Sequence, residues 1–304
     1  MSLHKVELIG APTDVGASIR GASMGPEALR VADLQSALER QGVAVEDGGD
    51  VTGPPNPRRL PHEGVRHLQE VIAWNSGVYQ AVLGALRGGR FPLLMGGDHC
   101  LAIGSISAAA QHCRESGQRL MVLWLDAHAD ANTHRSTPSG NIHGMPVACL
   151  CGLGPAPLTH LSGTVPAVAP AAIRQIGIRS VDTLEKQQLQ ALGLAVLDMR
   201  HVDEYGMRLT MQQALDGLDD DTHLHVSFDA DFLDAAIAPG VGTPVRGGPT
   251  YREAQLCMEM IADTGRLGSL DLMELNPARD VCNQTAEMVV ELVESLFGKS
   301  TLIR

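Results

Sequence analysis

Met121-Val-Leu-Trp-Leu-Asp126-Ala-His128-Ala-Asp130-Ala-Asn132 is the stretch on which the reading of this chain turns. A short apolar run, suited to a strand buried on both faces, leads straight into a carboxylate, an imidazole and a carboxylate at alternate positions. In extended backbone, residues i and i+2 share a face, so Asp126, His128 and Asp130 start on one side. At about 3.3 Å per residue, an unbroken strand would hold Asp126 and Asp130 roughly 13 Å apart, too far for a single ion. Either the strand breaks after Leu125 or the residues serve two ions.

Working outward, short apolar runs alternate with helical patterns along the whole chain. The runs predict strands at Val6–Ile9, Val43–Glu46, Phe91–Met95, Met121–Leu125, Ala172–Ile176, Leu194–Leu197, Leu224–Phe228 and Gly268–Met273. Helices are expected near Gly25–Gln41, Val65–Leu86, Leu101–Glu115, Leu184–Ala191, Thr210–Leu215, Tyr251–Thr264 and Cys282–Phe297. Pro26 suits a first turn and Gly42 a stop. This alternation points to an α/β protein, with one large parallel sheet between helical layers. Thr52–Gly64 and Cys151–Pro170, rich in Pro, Gly and small residues, read as surface loops. Neither marks a domain boundary, so the 304 residues are read as one domain, against the prior of two that length alone suggests.

Three more segments carry chemistry just after predicted strands, at the edge where open α/β sheets bind ligands. Gly96-Gly-Asp-His99 follows one, its paired glycines allowing a close backbone approach. Ser227-Phe-Asp229-Ala-Asp231 follows another, with two carboxylates that repel unless a cation intervenes. Glu274-Leu-Asn-Pro follows a third, and its carboxylate suits a cation or a guanidinium. Four carboxylates and two imidazoles (Asp126, Asp130, Asp229, Asp231, His99, His128) form a hard donor set that favours Mn²⁺ over a thiolate-type zinc site. Six ligands suit two divalent ions about 3.5–4 Å apart, which together acidify a shared water.

Composition narrows the partners. The formal charge is −12, from 23 Lys plus Arg against 35 Asp plus Glu, which argues against nucleic acid and anionic membranes. Aromatics at 3% argue against base-stacking or glycan platforms. The six cysteines form no Cys-x-x-Cys pair, no run approaches 18 apolar residues, and Met1-Ser-Leu-His-Lys-Val lacks a signal-peptide pattern. The expectation is a reduced, cytoplasmic protein.

The combined motifs resemble the ureohydrolase (arginase/agmatinase) family. They are Gly96-Gly-Asp-His99, Asp126-Ala-His-Ala-Asp130-Ala-Asn132, Ser139-Gly-Asn-Ile-His143-Gly-Met-Pro, Ser227-Phe-Asp-Ala-Asp231, Gly242-Thr-Pro-Val-Arg-Gly-Gly and Glu274-Leu-Asn-Pro. Gly10-Ala-Pro-Thr, Gly25-Pro26 and Asp47-Gly-Gly-Asp50 fit too, so the resemblance runs from about Lys5 to Leu296. It implies a three-layer α/β/α sandwich with a mainly parallel eight-stranded sheet, and a homotrimer or homohexamer. It implies two Mn²⁺ per subunit, one on His99, Asp126, Asp130 and Asp229, the other on Asp126, His128, Asp229 and Asp231. Within the family, the implied substrate is L-arginine, split by water to L-ornithine and urea. Asn132, Thr137 and Ser139 would read its α-carboxylate, Asp182 and (through water) Glu185 its α-amino group, and Asn141 would be another loop contact. Glu274 would hold the guanidinium, with Thr243 near that end; Asp130 would move the water's proton and His143 would shuttle protons. Other ureohydrolase substrates, or a non-catalytic arginine-binding role, are the alternatives. Three positions depart from the family pattern: Cys100 where Ser is common, Pro138 within the carboxylate loop, and Phe232-Leu-Asp-Ala235 where Gly-Leu-Asp-Pro is usual.

Overall fold

Strands that are apolar on both faces need helices on both sides, and the computed structural model, which describes residues 5–302, has that form. The eight strands are β1 Val6–Gly10, β2 Val45–Asp50, β3 Phe91–Met95, β4 Arg119–Leu125, β5 Ile173–Ile176, β6 Ala195–Leu197, β7 Thr222–Asp229 and β8 Leu267–Met273. They form one sheet in the order β2-β1-β3-β8-β7-β4-β5-β6. Every pairing is parallel, so the expected three-layer α/β/α sandwich is present and its sheet is wholly parallel. None of the described helices is long and apolar enough to cross a membrane.

The sheet separates two apolar cores, and β4 feeds both by strict alternation. Met121, Leu123 and Leu125 pack with the layer of helices Gly25–Val31, Leu34–Arg40, Met199–Ala214, Tyr251–Thr264 and Gln284–Leu296. Val122 and Trp124 pack with Leu68–Arg87, Ala102–Ser116 and Pro146–Leu150. Helix Tyr251–Thr264 lies where its signals place it. Thr250 and Glu253 form a capping box at its start, and Gly265 closes it in the left-handed region.

Elsewhere the helix boundaries differ from expectation for local reasons. The single helix expected over Gly25–Gln41 is two, Gly25–Val31 and Leu34–Arg40, because Asp33 adopts φ +63°. The short helix expected at Thr210–Leu215 begins earlier, at Met199, where Asp198 caps it by accepting from the His201 N–H; Gly206 interrupts it at φ 78°. Positive φ at His67 and Asn283 delays two other helices to Leu68 and Gln284. Cys151–Pro170 is not only a surface loop: it contains the turn of helix Ala156–Thr159 and buries Leu158 and Val168 in the second core. Thr52–Gly64 is irregular and mostly exposed, as expected.

One face of β7 departs from apolar composition. His223, His225, Ser227 and Asp229 alternate along it, all buried, and Ser269 and Asp271 of β8 stand opposite His225 and Ser227. The ladder is hydrogen-bonded throughout, as buried polar groups require. His223 Nε2 and His225 Nδ1 meet Ser269 Oγ at 2.9 and 2.8 Å, and His225 Nε2 meets Asp271 Oδ2 at 3.1 Å. It leads up the sheet to the carboxyl edge, where the charged motifs lie.

Burial, helped by the neighbouring His225 and His112, pushes the His223 imidazole down to about 3. The unfolded chain protonates this group near 6.5, so its contribution to stability is complete above that pH and is lost as pH falls toward 3. Urea denaturation of chelator-treated protein is therefore expected to show a midpoint that declines across this window. In His223→Gln the decline should be shallower; a variant with an equally steep profile would contradict this assignment.

Candidate metal centre and substrate pocket

Four adjacent central strands, β3, β8, β7 and β4, deliver the charged motifs to one edge. The Gly96-Gly97 turn after β3 presses against its neighbours. A Cβ on Gly97 would strike the Thr13 carbonyl, and one on Gly96 the Met273 sulfur. That approach lets Asp98 accept from Gly16 N–H at 2.7 Å and Cys100 N–H at 3.0 Å, which sets the turn carrying His99. The His99 N–H in turn donates to Glu274 Oε1, at 2.9 Å.

The strand does break after Leu125. Asp130 sits at φ +49°, and this turn folds it back over the strand end. His99 Nδ1 consequently lies 3.1 Å from Asp126 Oδ2, 3.0 Å from Asp229 Oδ2 and 3.4 Å from Asp130 Oδ2. Beside it, His128 Nδ1 lies 3.1 Å from Asp231 Oδ2 and 3.5 Å from Asp126 Oδ1. Ligand atoms of His99, Asp126 and Asp130 converge within 4.8 Å, as do those of Asp126, His128 and Asp231, so Asp126 belongs to both groups. The backbone supports these carboxylates: Asp126 accepts from His128 N–H at 2.6 Å, and Asp229 from Asp231 N–H at 2.7 Å.

The electrostatics suit dications. Burial and neighbouring carboxylates push Asp130 and Asp229 well above the usual carboxylate range, and burial pushes Asp231 up as well. Burial also opposes charge on Asp126, but His128 and His99 outweigh it and hold Asp126 low. Burial disfavours a charged His99 or His128, yet the surrounding carboxylates push His99 up to about 9 and His128 up to about 12. Protons on these imidazoles compensate buried negative charge that a bound dication would compensate better.

His99 also has the outer support that a metal-binding imidazole needs. Its Nε2 is 2.9 Å from Ser227 Oγ, and its ring stacks on Trp124 at 4.1 Å. Trp124 Nε1 donates to Asp126 Oδ2 at 2.9 Å, so a single indole orients two ligands. An Nε2–H held by Ser227 leaves Nδ1 free to ligate. The sequence reading passed over Ser227 and Trp124. Ser227 lies two residues before Asp229 and so on its face of β7, a period-2 signal that was available.

A cavity of ≈ 190 Å³ opens onto this centre. His128, Asp130, Asp229, Asn132, Thr137, Ser139, Asn141, His143, Asp182, Glu185, Thr243 and Glu274 all line it. Of the expected site residues, only His99, Asp126 and Asp231 lie behind the wall, in contact with those that form it. Ser180 also lines the cavity and was not anticipated. At one end, Glu274 Oε1 meets His143 Nδ1 at 2.8 Å. Burial opposes both charges, but each partner sustains the other: His143 is raised and Glu274 lowered.

At the other end the polar side chains hold one another. Asn132 Nδ2 donates to Asp182 Oδ2 at 2.8 Å, while Asp182 Oδ1 caps helix Thr183–Leu192. Glu185 accepts from Ala131 N–H at 2.9 Å, and burial pushes its carboxyl up to about 7. Thr137 Oγ1 accepts from Gly140 N–H at 3.1 Å, and Ser139 Oγ from Asn141 N–H at 3.2 Å. Asn141 Oδ1 is buried without a protein partner among the described residues, an acceptor available to a ligand. Thr243 Oγ1 donates to Asp231 Oδ2 at 3.2 Å, so it lies against the ligand set. Pro138 lines the cavity without breaking the Thr137 turn, and Phe232 is fully buried with its ring edge-on to Phe228 at 6.0 Å.

Residues 4–298 match the model of the Arginase family. The arginase of Bacillus subtilis (strain 168) is 42% identical over 98% of this chain and 99% of its own length. The arginase of Bacillus caldovelox is 42% identical over 99% of this chain and all of its own. The native crystal structure of the Bacillus caldovelox arginase at pH 5.6 superposes with a TM-score of 0.93, covering 99% of this chain and 100% of that one.

Removing a ligand or its support is expected to act on metal affinity first. His128→Ala should bind markedly less Mn²⁺ by equilibrium dialysis, and Ser227→Ala should bind it about 10–100-fold more weakly. Undiminished metal binding in His128→Ala would show that this residue is not a ligand.

Proposed function

This chain belongs to the arginase family and is a hydrolase of that family, and we propose that its reaction is the hydrolysis of L-arginine to L-ornithine and urea. The observation that supports this is one cavity with three kinds of recognition. Two groups of Asp and His side chains that could each hold a cation lie on and behind one wall, an ionised carboxylate is held ready beside them, and paired carboxamide, hydroxyl and carboxylate groups stand at the far end. The ionised carboxylate matches a guanidinium, and the far-end groups match the α-carboxylate and α-amino group of the same small molecule.

His99, Asp126, Asp130 and Asp229 would hold one Mn²⁺, and Asp126, His128, Asp229 and Asp231 the other. The four carboxylates and two imidazoles fit a hard, oxygen-preferring cation. Bound there, the pair supplies a water acidic enough to attack near neutral pH and offsets charge developing on the guanidinium carbon's substituents. Glu274, kept ionised by His143 and the His99 N–H, receives the guanidinium through charge-assisted hydrogen bonds. Asp130, whose carboxyl is raised by burial and by Asp126, takes the attacking water's proton and passes it to the leaving amine. His143, 2.8 Å from Glu274, shuttles protons between cavity and solvent. Thr243 steadies Asp231 and the guanidinium end. Asn132, Thr137 and Ser139 receive the α-carboxylate, Asp182 and Glu185 the α-amino group, and Asn141 completes the loop.

Further parts of the reading follow the family. The chain acts as one ureohydrolase domain over residues 1–304, assembles as a homotrimer or homohexamer, and works in the cytoplasm on arginine metabolism and the urea cycle. It requires neither nucleic acid nor membrane as a partner. A single sheet drawing strands from residues 6 to 273 supports the one-domain view.

Hydrolysis with Mn²⁺, read as urea or, for formiminoglutamate, as formamide, should favour L-arginine over agmatine, formiminoglutamate and guanidinobutyrate by more than about a hundredfold in kcat/KM. A site built to hydrogen-bond a group rejects analogues that leave its polar atoms unpaired. Faster turnover of agmatine would overturn the substrate assignment. Arginine binding without turnover would replace it with a non-catalytic role.

A further inference from the structure

The loop proposed to read the carboxylate, Thr133–Asn141, does not stand alone: the irregular segment Thr52–His67 locks onto it. Two glycines mark the contact. A Cβ on Gly64 would strike the His134 carbonyl, and one on Gly140 would strike the Pro61 ring. One residue bonds the loops on both sides of that seam. The Arg66 N–H donates to Gly140 O at 2.8 Å, its Nε to Ser139 O at 3.2 Å, and its Nη1 to Arg59 O at 3.2 Å. The outer loop is itself pinned to the molecule through His67, whose ring bonds Val15 O at 2.8 Å and Arg59 N–H at 2.9 Å.

Arg66 is half-buried, and its guanidinium bonds only to carbonyls. Among the described residues it makes no ion pair, whereas Arg59 pairs with Glu70 at 3.9 Å. Glu63 is the one acid in the segment Thr52–His67, and it too makes no ion pair within 4.0 Å among the described residues. Among the described residues no carboxylate lies within 4.0 Å of the Arg66 charge, which adjoins the backbone of Ser139 at the cavity wall.

We infer that Arg66 is a specificity-positioning residue. By fixing the Ser139–Gly140 backbone it sets the Thr137 and Ser139 hydroxyls, and its charge favours a substrate that carries a carboxylate at that end. The inference rests on the proposed reading of the cavity as an arginine site. It assigns Arg66 no contact with the reacting atoms, so its effect belongs in binding of the carboxylate end and not in the chemical step.

The test compares the unmodified protein with Arg66→Met and Arg66→Lys, each loaded with Mn²⁺. In Arg66→Met, KM for L-arginine should rise about 5–20-fold with kcat within about twofold, the pattern of a lost ground-state interaction. The dissociation constant of L-ornithine, measured by calorimetry, should rise in parallel. The inhibition constant of agmatine, which lacks the carboxylate, should stay within about twofold. Arg66→Lys keeps the charge but not the forked donors, so it should fall between; it carries the test alone if the methionine variant does not fold. Unchanged KM, equal weakening of agmatine, or a loss confined to kcat would overturn the inference. Absence of urea from the unmodified protein would overturn the reading of the site, and this inference with it.

Discussion

Four buried carboxylates at one edge of a sheet repel each other, and the architecture around them is arranged to hold them together. Asp126 directly follows β4 and Asp229 ends the neighbouring β7, and the turns that follow bring Asp130 back beside Asp126 and Asp231 beside Asp229. In low dielectric such a group either binds protons or binds cations. The raised carboxyls of Asp130, Asp229 and Asp231 and the raised imidazoles of His99 and His128 show the proton-bound compromise. Two dications would relieve the same repulsion without neutralising the ligands. They would also bring the formal charge of the chain from −12 to about −8.

The parallel sheet makes this concentration possible. All eight strands point one way, so their carboxyl ends, and the loops that follow, lie on one side. The last strands in sequence, β7 and β8, fill the middle of the sheet between β3 and β4. Sequence-distant residues such as His99 and Asp229 thereby come within 3.0 Å. Beneath them, the polar ladder of His225, Ser227, Ser269 and Asp271 extends hydrogen-bonded order well below the edge itself. Above them, interlocked loops close the far side of the cavity.

Much of this was legible in the sequence, for a physical reason. Parallel strands covered on both faces are short apolar runs, which located the interior strands to within a few residues, whereas the mostly exposed edge strand β2 lies at Val45–Asp50 and overlaps the expected Val43–Glu46 at only two positions. The ligand set was legible because its members sit in contiguous motifs at strand ends. Distances were not. An extended Asp126–Asp130 segment implied roughly 13 Å, whereas the φ of +49° at Asp130 folds it around His99. Positive φ at a non-glycine residue leaves little mark in residue type, and the same blindness joined two helices across Asp33 and misplaced the starts at His67 and Asn283. The supporting roles of Ser227, Trp124 and Arg66 also stayed hidden, because the contacts with His99 and Ser139 that define them join residues distant in sequence.

A pair of divalent ions would compensate the carboxylate cluster. Anomalous diffraction at the manganese edge, from crystals grown with Mn²⁺, tests it directly. Two peaks about 3.5–4 Å apart are expected, one against His99 and Asp130, the other against His128 and Asp231, with Asp126 and Asp229 between them. A single peak, or manganese bound away from these six side chains, would contradict it.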